Sequence, residues 1–133
     1  MVRREEAICR THERAVHHVP GLAPGVIAAI TVVEHGPLEP GFVARELCRW
    51  EDLARRGAVW RPASNPCGVR ECCGPGPRGF LEEAMGYLPR RAKPGLRRVV
   101  GRVDEVYLRH TLPDPLADPG SPWWERRRPV GWP

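Results

Sequence analysis

The sequence predicts a mainly α fold: a small domain of three to four helices, a Cys-rich loop and an extended, Pro-rich C-terminal arm, with room for one short strand pair. Two segments carry apolar residues at helical spacing, whereas Gly and Pro, 14 and 16 of 133 residues, cluster outside them. A chain of 133 residues and 15.0 kDa is the size of one domain and too short for a barrel enzyme of roughly 250 residues. Residues 1–133 are therefore read as one domain: a helical part over 1–60, a Cys/Pro/Gly loop over 61–79, a second helical part over 80–112 and the arm over 113–133.

Over 3–18, Ile8, Thr11, Ala15 and Val19 share one helical face, and Pro20-Gly21 ends the pattern. The run Val26–Val33 is apolar and partly β-branched, bounded by Pro24-Gly25 and Gly36-Pro37, and fits a buried strand or a short buried helix equally well. Segment 41–56 is a helix on firmer grounds, because Val43, Leu47, Trp50 and Ala54 form one stripe and Gly57 stands at the C-terminal cap position. Residues 61–79 hold too many prolines and glycines for regular structure. Phe80–Leu88 suits a short helix. Ala92–Thr111 suits a longer one, with Leu96, Val99, Val100, Val103, Val106 and Tyr107 as its apolar face, Arg102, Glu105 and Arg109 placed for ion pairing on the outside, and His110 at the edge of the apolar side. From Leu112 onward six prolines forbid helix, and Trp123-Trp124 are expected to anchor the arm on the core.

The segments Leu88-Pro89, Leu96/Val100/Asp104/Leu108, Thr111-Leu-Pro-Asp-Pro115 and Pro122-Trp-Trp-Glu-Arg126, preceded by a cysteine-bearing loop, resemble a group of small proteins of high-GC actinobacteria. The resemblance covers the C-terminal half. It implies a compact helical unit and no particular chemistry.

Charge is asymmetric. Residues 1–56 carry 8 basic and 8 acidic side chains, and residues 57–133 carry 13 and 8, so the second part holds the whole net charge of +5. Arg90, Arg91, Lys93, Arg97, Arg98 and Arg102 fall in one stretch without an acid, which makes them the candidate anion-binding or nucleic-acid-binding residues. Arg91, Arg98, Arg102 and Arg109 lie on one helical stripe suited to a phosphate backbone, although such a run also serves as an ordinary solvated face. The excess of arginine over lysine, 20 to 1, favours bidentate anion contacts and equally follows from GC-rich codons.

Cys67, Cys72 and Cys73 in the loop, with Cys48 from the preceding helix, supply four thiols, the number a structural zinc ion takes. Their spacing is not the paired C-x2-C pattern, so plain thiols and a redox pair stand beside zinc as readings. Of Cys9, His12, His17 and His18, Cys9 and His12 can share a helix face but His17 lies off it, and two ligands make a poor metal site. Gly74–Gly79 spells G-x-G-x-x-G, but Pro75 and Pro77 remove the N–H groups that a phosphate cradle needs. No serine, acid and base fall into a nucleophilic arrangement, so no catalytic residue is assigned. Five cysteines spread thinly, and an apolar run of eight residues with no leader pattern, favour a cytoplasmic chain without a membrane span. The sequence thus predicts a non-enzymatic accessory or interaction domain with a protein partner, its Cys loop suited to zinc. Nucleic-acid binding and a thiol redox switch are the alternatives.

Overall fold

The structure, a computed structural model, describes residues 19–60 and 75–131. The first predicted helix, over 3–18, lies outside them, as does most of the cysteine loop. Among the described residues there are four helices: α1 (Pro24–Glu34), α2 (Phe42–Arg56), α3 (Gly76–Tyr87) and α4 (Lys93–His110). Two three-residue strands follow, β1 (Thr111–Pro113) and β2 (Arg127–Pro129), with a single 3₁₀ turn at Trp123–Glu125 between them.

The undecided run 26–33 is helical. Pro24 sits in the first turn, where its missing N–H costs nothing and its fixed φ suits the helix. Burial of Val26, Ile30 and Val33 on one side supplies the packing that outweighs the β-branched residues' weak helix preference. Closeness to α4 depends on Gly95, because a Cβ there would lie 2.5 Å from Val26 Cγ2. Glu34, buried at the end of α1, accepts hydrogen bonds from the N–H groups of Gly41 (3.1 Å) and Val43 (2.9 Å) and so caps the start of α2.

The α2 stripe Val43, Leu47, Trp50 and Ala54 is buried as its spacing predicts. Gly57 closes the helix at φ 62°, and a Cβ there would lie 2.6 Å from the carbonyl oxygen of His110. Helix α3 begins at Gly76, so Gly76–Gly79, read from composition as loop, form its first turn. Pro77 is tolerated that early in a helix, and all four residues are buried, unlike an exposed phosphate-binding loop. On α4, Leu96, Val99, Val100, Val103 and Tyr107 face the core as expected, with Val106 at its margin. His110 is exposed instead, with Nδ1 2.8 Å from Val106 O.

The arm turns back on itself. β1 and β2 pair antiparallel in the register Thr111↔Pro129, Leu112↔Arg128 and Pro113↔Arg127. Tyr107 donates its hydroxyl to the carbonyl of Trp124, and Arg127 reaches the Thr111 carbonyl at 2.9 Å. Trp123 and Trp124 pack on the core, as expected of an anchor.

At the centre, Asp104 of α4 accepts from Trp50 Nε1 (2.9 Å), from Arg78 Nε (2.9 Å) and, through its other oxygen, from a terminal nitrogen of Arg78 (3.1 Å). Arg78 also donates to Glu82 at 2.7 Å, and its guanidinium lies 4.7 Å from the Trp124 ring centre and 5.8 Å from that of Trp123. Burial alone would lower the Arg78 pKa, but its hydrogen bonds and charge pairing with Asp104 and Glu82 outweigh that and raise it. A cation whose folded pKa is raised contributes stability at every pH below its unfolded value. This contribution is thus lost only in strong alkali, as the pH rises through the folded value.

Arg78→Ala is expected to cost about 3 kcal/mol, since it leaves Asp104 unpaired and unseats two tryptophans, whereas Arg56→Ala, at an exposed ion pair, should cost less than about 1 kcal/mol. Urea unfolding of the two variants measures the difference. Glu34→Ala is expected to cost about 1–3 kcal/mol by orphaning two N–H groups, and the same titration checks it.

Candidate interaction surface

The predicted anion-binding residues lie along and just before the first half of α4. Arg90, Arg91, Arg97, Arg98 and Arg102 are exposed and Lys93 is half-buried. Among the described residues none of the six has a carboxylate within ion-pair distance, in contrast to Arg45, Arg49, Arg56 and Arg78. The expected ion pairs of Glu105 with Arg102 and Arg109 do not form. Arg102 lies instead over Gly21, close enough that a Cβ on that glycine would be 2.9 Å from its Nη1.

These contacts fix where the cations stand relative to α1. Arg102 neighbours Gly21, Gly95 touches Val26, and Arg91 lies beside Val32 and Val33 in a shared surface groove. Residue numbers rise along α1 as they fall along α4, so the two helices run antiparallel. Arg98 and Arg102, one turn apart, share a face of α4, while Arg91 stands in the turn before the helix; Arg91 lines the groove and Arg102 lies beside Gly21, in the chain that leads into α1.

The groove itself has a volume of about 630 Å³. The α1 side is small and apolar, with Gly25, Ala28, Ala29 and Val32, while Tyr87 and Pro89 close the other side. Among the described residues Arg91 is the one charged residue in its lining. Val32 is 72% exposed and Tyr87 49%. A helix carrying apolar residues all round is ordinarily buried all round, yet this one presents an apolar face to the surface.

Cys48, at 4% exposure, is buried on α2 and is disulfide-bonded, its partner lying outside the described residues. In that state its sulfur is not a thiolate ligand. Cys67, Cys72 and Cys73, the other three residues predicted to hold zinc, also lie outside the described residues, as do Cys9, His12, His17 and His18. Among the described residues no three His, Cys, Asp or Glu side chains are grouped to hold a metal, and no helix is long and apolar enough to cross a membrane.

Sequence reasoning located the cations but missed Ala28, Val32 and Tyr87, which form the groove. The available signal was the uninterrupted apolarity of 26–33, which exceeds what one buried face needs. No protein-family model, curated protein or solved structure matches the chain.

Under denaturing conditions without reductant, at most three of the five cysteines should react with a thiol reagent, rising to five after reduction. Five reactive thiols before reduction would exclude the Cys48 disulfide.

Proposed function

We propose that the chain is a small, non-enzymatic protein-interaction domain that receives its partner in the groove beside α1. The observation carrying this reading is the exposed apolar strip of Ala28, Val32 and Tyr87, set next to a buried core. Surfaces of this kind, concave, apolar and rimmed by charge, are where partner segments are captured. The nucleic-acid reading draws on the six unpaired cations. It leaves the apolar strip beside them without a purpose.

A photoreactive phenylalanine analogue placed at position 32 in cells is expected to give a discrete adduct. One at Leu116, 93% exposed on the arm, should give none. Ala28→Glu should abolish the adduct at position 32 without changing the folding transition, because the site is at the surface. Equal labelling from positions 32 and 116, or an adduct indifferent to Ala28→Glu, would count against the reading.

A further inference from the structure

We infer that the groove's occupant is an acidic amphipathic helix of a partner protein, which lays its apolar face on Ala28, Val32 and Tyr87 and its carboxylates on Arg91, Arg98 and Arg102. This rests on the interaction reading above and adds the partner's chemistry. Two observations meet here. Arg91 lines the groove beside the apolar strip, Arg102 lies over Gly21 just before α1, and Arg98 is exposed on α4 one turn from Arg102; among the described residues no carboxylate lines the groove. A ligand that used only the strip would bring apolar surface up to Arg91 and leave it without counter-charge. A polyphosphate would neutralise the arginines but gain nothing from the valine and tyrosine beside them.

The spacing sets the register. Arg98 and Arg102 lie one turn apart on α4 and Arg91 stands just before its first turn, so a helix alongside that carries acids at i, i+7 and i+11 reaches all three, with apolar residues at i+3, i+4 and i+8 turned toward α1. Such a segment spans at least three helical turns. Long arginine side chains flanking an apolar strip also hold water away from its centre, the arrangement in which a few anchoring side chains dominate affinity.

The test uses the full chain and four labelled probes read by fluorescence anisotropy. They are a helix-forming peptide with leucines on the apolar positions and glutamates at i, i+7 and i+11, the same peptide with lysines for glutamates, the glutamate peptide with serines for leucines, and a single-stranded oligothymidylate. The leucine–glutamate peptide is expected to bind, and both altered peptides and the oligothymidylate at least tenfold more weakly. Arg91→Glu combined with Arg98→Glu should weaken the first peptide tenfold or more, and Val32→Glu should do the same independently. All three substitutions are at exposed positions, and unchanged circular dichroism verifies that the variants are folded. If the glutamate and lysine peptides bind alike and both are lost in Val32→Glu, the interaction reading stands and the acidic partner is wrong. If the serine peptide and oligothymidylate bind as tightly as the first peptide, the arginines are a polyanion site and the inference fails. No binding of the first peptide also overturns it, while the position-32 adduct continues to decide the broader reading separately.

Discussion

A single carboxylate holds this fold's centre. Asp104 projects from α4 and accepts hydrogen bonds from Trp50 on α2 and Arg78 on α3, so three helices are fixed to one another through two oxygen atoms. An ion pair so poorly hydrated gains little over an apolar contact of the same shape, but removing either partner leaves the other's charge uncompensated, so the pair ties the positions of the helices together. Stacked on the tryptophans of the arm, the outer face of Arg78 extends that definition to the C-terminal segment. Tyr107 completes the chain of rings, 4.6 Å from Trp50 and 6.0 Å from Trp123, between the helical core and the arm.

How much of this was legible depended on whether the signal was local. Helices α2 and α4 were readable because Val43/Leu47/Trp50/Ala54 and Leu96/Val100/Val103/Tyr107 repeat at 3.6 residues, and repetition survives without knowledge of neighbours. The state of α1 was undecided because a run apolar on every side has no period. The start of α3 was misplaced because Gly76-Pro-Arg-Gly79 has the composition of a loop; burial of that turn overrides its composition. Arg78 and Asp104 are 26 residues apart and each resembles a surface residue in its own segment, so nothing local marks them as partners. The candidate surface divides the same way. Its arginines were visible as a run, whereas their position beside an apolar helix is a tertiary fact. A cysteine pairing is equally invisible to spacing, and so it was for Cys48.

The two sides of α4 are treated differently by the rest of the chain. Toward the core, Asp104 is satisfied three times over; outward, Arg98 and Arg102 make no ion pair among the described residues, even though Glu105 is within a turn of Arg102. Exposed cations cost little when left in water, since their hydration is already favourable and salt screens their mutual repulsion. Leaving them unmatched keeps their full charge available to whatever approaches along α1.

Because the arm folds back through β2 onto β1, position 131 returns to the C-terminal end of α4, while Arg91 and the groove sit at its N-terminal end. Eighteen helical residues separate the two, about 27 Å. A fluorophore, affinity handle or surface tether joined at the arm therefore projects from the opposite pole of the molecule and leaves the α1 face unobstructed.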